Sequence, residues 1–234
     1  SVNLEEPYNT VLSNMGIEII PGYKIHQWIE KNYDFLDYLF LSRPDIANRF
    51  NIRSLRDQGV KVLYYGQDFH YLRMSRENSL MQKYTSHEIE GMKKMELSVI
   101  ESSDISYYPS SYEIEQIRTF LPDAKIRQVP VYLYDIQDMP VHKDFENSRE
   151  IIFVGSAHGP NLDGLKWFLN DIYPYITDRI PDLVLNIVGS SLSEEIRSIS
   201  SKNVIVHSYI SEEELSELYA SSRLSIAPLR YGAG

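Results

Sequence analysis

The sequence contains no cysteine, which excludes disulfides, thiolate nucleophiles, iron–sulfur clusters and cysteine-ligated zinc. Any catalysis falls to oxygen, nitrogen or backbone groups. Positive charge is also short: 23 Lys and Arg face 33 Asp and Glu, a net of -10. That is the wrong sign for a protein that neutralises nucleic-acid phosphates, so no nucleic-acid partner is expected. No window approaches the roughly 18 consecutive apolar residues that span a bilayer, and the opening SVNLEEPYNT has neither the basic start nor the apolar run of a leader. The expectation is a cytoplasmic protein with no transmembrane segment, at most peripheral to a membrane.

Several motifs are missing as well. The 6 His include no pair at metal-binding spacing, and no two Asp are separated by a single residue. No metal ligands are therefore assigned. A G-x-G-x-x-G after a strand and a G-x-x-x-x-G-K-[ST] are both absent, which removes the motif support for dinucleotide redox and nucleotide triphosphatase readings. His26, His142, His158 and His207 read as structural or solvent-facing.

What is present is an ordinary globular composition, 234 residues with 43% hydrophobic, enough for one or two domains with real cores. Val60–Tyr65 (VKVLYY) is a short β-rich run, and 17–20, 38–41, 105–108 and 126–131 are weaker ones. A helix is expected from about 79 to 103, with a Met and Ile stripe as core and Glu88, Glu90, Lys93, Lys94 and Glu96 as a solvated face. In the second half, strands are expected at 151–154, 183–188, 204–207 and 224–227. Leu165, Phe168, Leu169, Ile172, Ile176 and Ile180 mark one helix face, ended by Pro181. Ser211-Glu212-Glu213-Glu214 reads as a capping box. Alternation of strand and helix in both halves predicts an α/β protein of two doubly wound parallel-sheet domains, 1–135 and 150–234, joined by a polar linker over 136–149.

In open parallel sheets, ligands bind beyond the carboxyl ends of the strands. The second half places Gly155-Ser156, Gly189-Ser190-Ser191, Ser208-Tyr209-Ile210 and Pro228 to Gly234 there. Each alone is an ordinary turn, but four in register suit a phosphate-bearing or nucleotide ligand. In the first half, Gln67-Asp68-Phe69-His70 follows a strand. Asp68 and His70 are the candidate catalytic pair, able to orient a sugar hydroxyl or exchange a proton. Alternatively, Asp68 caps the next segment and His70 packs among aromatics.

These residues carry a family likeness. FVGSAHGPNLDGLKWFLNDIYPYI, LNIVGSS and VIVHSYISEEELSELYASSRLSIAPLRYGAG resemble the donor-binding domain of GT-B glycosyltransferases of family 4 (group 1). FLSRPDIANRF, VLYYGQDFHYLR and SDISYYPSSYEIEQI resemble, more loosely, the acceptor-side domain. The resemblance implies two Rossmann-like domains, and transfer of a sugar from a nucleotide-diphosphate donor to a hydroxyl of a carbohydrate, lipid-linked or protein acceptor. It further implies retention, no structural metal, and no cofactor beyond the donor itself. Gly155 and Ser156 would face the donor phosphates, Gly189 and Ser190 would border the nucleotide, and Tyr209 and Ile210 would lie beside the base. Arg230, Tyr231, Gly232 and Gly234 would form the phosphate loop, with Arg230 its cation.

The chain departs from that pattern. Ser156 and Asn161 stand where many relatives have Arg and Lys, Gln67 stands where a cleft His is common, and the first of the family's paired glutamates is replaced around Gly232. A complete enzyme of this kind needs further elements before Ser1 and after Gly234, so both domains are expected to be incomplete. Two alternatives share the architecture: a sugar-nucleotide epimerase, and a non-catalytic transferase-like partner subunit.

Overall fold

The computed structural model describes residues 8–20, 22–130, 145–189, 194–207 and 210–233. The chain divides into two compact units, Ser1–Val131 with Ala233–Gly234, and Tyr132–Gly232. Most of the expected linker 136–149 lies outside the described residues, as do Ser190, Tyr209 and Gly234.

Unit 1 begins with α1 (Tyr8–Asn14) and α2 (Ile25–Asn32). It continues through β1 (Tyr38–Ser42), α3 (Pro44–Ala47), α4 (Ile52–Asp57), β2 (Lys61–Tyr65), α5 (His70–Met81), α6 (Ser86–Ser102), β3 (Ile105–Tyr108), α7 (Ser111–Arg118) and β4 (Ile126–Gln128). The sheet is parallel in the order β1-β2-β3-β4. Every crossover steps the same way, so right-handed connections place the connecting helices on one face. Leu41, Val62, Tyr64 and Tyr108 point into the resulting core, joined by Val99 and Ile100 of α6 and by Ile117 of α7. The alternate residues of the same strands lie on the other face, where Tyr38 and Phe40 are exposed and Leu63, Tyr65, Ile105 and Tyr107 are half-buried.

Unit 2 contains β5 (Glu150–Val154), α8 (Gly159–Trp167), α9 (Tyr173–Thr177), β6 (Val184–Val188), α10 (Glu194–Arg197), β7 (Val204–His207), α11 (Glu212–Ser221) and β8 (Leu224–Ser225). Its parallel order is β7-β6-β5-β8. The chain first steps outward through β6 and β7, then returns past β5 to β8, which sends α11 to the opposite face from α8 to α10. Both faces are therefore covered, and Ile151, Ile152 and Phe153 are buried in succession. The α/β class with two parallel Rossmann-like sheets is as expected.

Three local expectations are corrected. Residues 17–20 form no strand. The helix expected over 79–103 is two: Gln82 ends α5 in the left-handed conformation, and a Thr85–Glu88 capping box starts α6. The helix expected to run unbroken to Pro181 widens to π-helical turns at Phe168–Ile172 between α8 and α9. Pro174, at the start of α9, has no N–H for the Asn170 carbonyl and its ring crowds that carbonyl, so the preceding turn opens. Among the described residues no helix is long and apolar enough to cross a membrane.

Candidate functional site

In unit 2 the direction of strand addition reverses at β5, so the crevice beyond the carboxyl ends of β5 and β8 is a topological switch point. The residues on either side are Gly155-Ser156 and the segment after β8. The Gly155 N–H donates to the Val188 carbonyl at 2.9 Å. A Cβ there would lie 2.9 Å from the Phe153 ring and 3.0 Å from the Asn161 amide, so only glycine fits without a shift. Asn161 Nδ2 donates to the Ser156 carbonyl at 3.2 Å and ties the loop to α8. Gly164 meets the other side: a Cβ on it would overlap the Pro228 carbonyl, so the helix and the segment after β8 touch backbone to backbone.

Arg230 Nε donates to Asp163 Oδ2 at 2.8 Å and Nη2 donates to Oδ1, a two-pronged pair that fixes the guanidinium plane. Its carbon lies 6.0 Å above the Trp167 ring. The Asp163 bond, with its charge, raises the Arg230 pKa and keeps the group cationic. Tyr231 is buried, with its hydroxyl 3.1 Å from the position a Cβ of Gly159 would take. The space around Gly232 is open on its Cβ side. Gly155, Ser156, Arg230 and Tyr231 are thus gathered around α8. Gly189 donates to the His207 carbonyl at 3.3 Å where β6 and β7 end. Ile210 lines a cavity of about 390 Å³ with Glu150, His207, Glu214, Glu217, Leu218 and Ser221. Beneath α11, Asn186 is 2% exposed, gives its amide to Glu150 at 3.1 Å and meets His207 Nε2 at 3.0 Å. Asp163 and Trp167 carry the arrangement together with Asn161, yet neither Asp163 nor Trp167 is singled out by sequence. Asp163 and Arg230 are 67 positions apart, and no local signal marks the pair.

In unit 1, Asp68 and His70 are brought together at the turn from β2 into α5. His70 Nδ1 is 2.8 Å from Asp68 Oδ1 and 3.6 Å from Glu96 Oε1, and Arg73 Nε donates to Asp68 Oδ2 at 2.6 Å. Burial pushes the His70 pKa down, but hydrogen bonds and charge from Asp68 and Glu96 outweigh it and hold the imidazole at about 10. Burial works against Asp68 too, and its bonds to His70 and Arg73 still keep the carboxyl below its ordinary range. At neutral pH this is an imidazolium between carboxylates, able to give a proton but not to take one.

Glu96, expected on a solvated face, is instead 0% exposed. Its carboxylate accepts from the N–H groups of His70 at 3.1 Å and Tyr71 at 3.0 Å, and from the Tyr108 hydroxyl at 3.3 Å. Those bonds repay its desolvation, which is why an interior position tolerates a charge. Glu113, also fully buried, accepts from Phe69 N–H at 2.7 Å, while its Oε2 has no hydrogen-bond partner. Burial first, then the nearby Asp68 and Glu96 charges, push its carboxyl up to about 7. Glu96 of α6 and Glu113 of α7 therefore cap α5, and Asp68 does not. Among the described residues no three His, Asp or Glu converge as a metal site.

Residues 148–234 match the family model described as glycosyl transferases group 1. Over 245 aligned positions the chain is 24% identical to an uncharacterized 44.6 kDa protein in the cps region of Klebsiella pneumoniae, covering 99% of this chain and 60% of that protein. The crystal structure of TarM superposes with a TM-score of 0.64 at 9% identity, covering 88% of this chain and 39% of that one. The catalytic domain of starch synthase IV from Arabidopsis thaliana, bound to ADP and acarbose, gives 0.51 at 12% identity, covering 94% and 54%. The chain thus spans between about two fifths and three fifths of the length of these proteins. Residues 148–234 are thus similar to the glycosyl transferases of group 1, and the fold is that of the GT-B glycosyltransferases.

Proposed function

We propose that this chain belongs to an enzyme that transfers a sugar from a nucleoside-diphosphate donor to a hydroxyl of a carbohydrate, lipid-linked or protein acceptor, with retention and without a metal. The observation that carries this reading is the switch point of unit 2, where Gly155-Ser156 and a fixed, cationic Arg230 lie on the two sides of α8. When the bond from the anomeric carbon to the diphosphate breaks, negative charge grows on the leaving group. Arg230 supplies preorganised donors to that charge, and Gly155 allows close backbone approach. Asp163 takes Nε–H and one Nη2–H, leaving further guanidinium N–H groups to address a phosphate. Asp163 is a positioning residue in this scheme. Gly189, Ser190, Tyr209 and Ile210 would border the nucleoside, and Tyr231, Gly232 and Gly234 would shape the phosphate loop. The reading draws support from the ADP held by the starch synthase structure, and the cps region of the bacterial relative supports a polysaccharide-building setting.

Isothermal titration with UDP, ADP and GDP tests the donor site. At least one should bind, and Arg230→Ala should weaken it by roughly 10- to 100-fold, the worth of a charge-assisted hydrogen bond. Absence of binding by all three would remove the basis of the proposal.

A further inference from the structure

We propose that the outer face of α9 and the turns on either side of it is a self-association surface, on which a second copy of this chain packs antiparallel about a twofold axis at Tyr175. The inference concerns unit 2 alone and does not depend on the donor reading.

The surface is a groove of about 280 Å³ lined by Asp171, Ile172, Tyr175, Ile176, Arg179 and Ile180. These form two adjacent rows at four-residue spacing, Asp171-Tyr175-Arg179 and Ile172-Ile176-Ile180, the kind of ridge by which helices interlock. The Ile180 N–H donates to the Ile176 carbonyl at 2.9 Å and carries the rows one turn past α9. The isoleucine spacing predicts a core-facing row, yet only Ile172 and Ile176 pack on the core, each partly buried, and Ile180 is 38% exposed. Tyr175, at 67%, is the most exposed large apolar side chain among the described residues of unit 2. An aromatic ring with a polar tip is what protein interfaces are enriched in. Asp171 and Ile172 close the π-helical turns, a distortion that recurs at functional positions.

The charges identify the occupant. Asp171 and Arg179 stand four positions to either side of Tyr175, so the row reads acid, aromatic, base. Laid antiparallel on a copy of itself about Tyr175, it sets Asp171 of each chain against Arg179 of the other, and the two tyrosines meet on the axis. Such a contact is isologous and closes at two copies. Neither charge is spent within the chain: among the described residues, the ion pairs found in unit 2, Arg149 with Asp182 and Arg230 with Asp163, use neither of them. Asp171 adds its charge to the field around Arg230, but Asp163 already holds that guanidinium fork. Arg179 Nη1 donates to the Tyr175 carbonyl at 3.0 Å, which keeps it along the row.

Two chains of net charge -10 repel, and this stripe, with one charge of each sign, is a place where they can meet. A partner of a single charge sign would be repelled at one end, whereas a second copy satisfies both. Six residues of one helix cover less than the roughly 1,200 Å² that stable complexes bury, so the association is weak and concentration-dependent, with a Kd on the order of 100 μM.

Sedimentation equilibrium of the full chain, from about 10 μM to about 1 mM, provides the test. The average mass should rise from 27.2 kDa toward twice that value and stop there. Asp171→Arg and Arg179→Asp each set like charges together at both ends of the contact and should weaken it about tenfold. Asp171→Arg combined with Arg179→Asp re-forms both pairs and should restore association to within about threefold of the parent chain. The sequence has no cysteine, so Tyr175→Cys places a single thiol on the axis. On oxidation it should give a disulfide-linked dimer about tenfold faster than Lys202→Cys, an exposed position elsewhere on unit 2. All four positions are exposed, so the variants should melt as the parent chain does. A monomer throughout, growth past the dimer, a double variant no better than the single ones, or equal cross-linking by both cysteine variants overturns the proposal.

Discussion

Glu113 is a carboxylic acid held where it is costly to ionise. Below its ordinary value of 4.5 it is protonated in folded and unfolded chains alike and contributes nothing to pH dependence. Between 4.5 and about 7 the unfolded chain releases the proton while the folded one keeps it, so stability falls as pH rises, by on the order of 3 kcal/mol in all. His70, raised from 6.5 to about 10, contributes fully below 6.5 and is lost as pH climbs through 10. The melting temperature of the protein should therefore drop between pH 5 and 7.5 and drop again above it. Glu113→Gln retains an oxygen for the Phe69 N–H and removes the ionisable group, so its curve should be flat up to about pH 6.5 and fall above it as the His70 contribution is lost. Differential scanning fluorimetry from pH 5 to 9 checks both limbs; parallel curves for the two proteins would refute the assignment. Asp68 and His70 could be picked out from sequence because they are neighbours at a strand end. Glu96 and Glu113 could not, since their value comes from backbone N–H groups 25 to 44 positions away, and a charged residue among charged neighbours reads as solvated.

Elements were legible where the determining contacts are local. The Ser211 box is the clearest case: Ser211 Oγ accepts from Glu214 N–H at 3.1 Å, and Glu214 Oε2 accepts from Ser211 N–H at 2.7 Å, as its spacing predicts. Replacing Ser211 by Ala should cost about 1 kcal/mol, felt in the first turn of α11. Hydrogen exchange should show faster exchange there with the strands of unit 2 unchanged, and protection equal to that of the parent protein would mean that the tertiary contacts of α11 override its cap. The strands β5 and β6 were found because runs buried on both faces need no partner information to be seen. The break between α5 and α6 was missed because it depends on how Gln82, a residue tolerant of helix, is held: its N–H donates to the Asn78 carbonyl, while the Asn78 side chain accepts from Tyr84 N–H. The π-helical turns were missed because Pro181 looked like the stop, whereas Pro174 already perturbs the helix.

At the scale of the whole molecule, alternation of strand and helix along the chain implied two parallel sheets but not their strand order. That order places the switch point at β5 and leaves the sheet of unit 1 running one way. The two hydrophobic clusters share no residue: Val62, Tyr64, Tyr108 and Ile117 belong to one, Leu165, Leu185, Ile187 and Ile196 to the other. Ala233 packs into the first, and Arg76 Nη1 donates to its carbonyl at 3.2 Å, so the chain after Gly232 returns to unit 1. Separate cores predict separate responses to damage. Leu185 is fully buried in β6, and Leu185→Ala should cost about 2 to 5 kcal/mol, because a close-packed sheet core closes a void only partly. If each core is its own cooperative unit, that loss stays where it is made: amides of β5, β6 and β7 should exchange faster by factors of tens to thousands, while those of β1 to β3 keep their protection. Equal acceleration in both sheets would show that the chain unfolds as one unit in spite of its divided core.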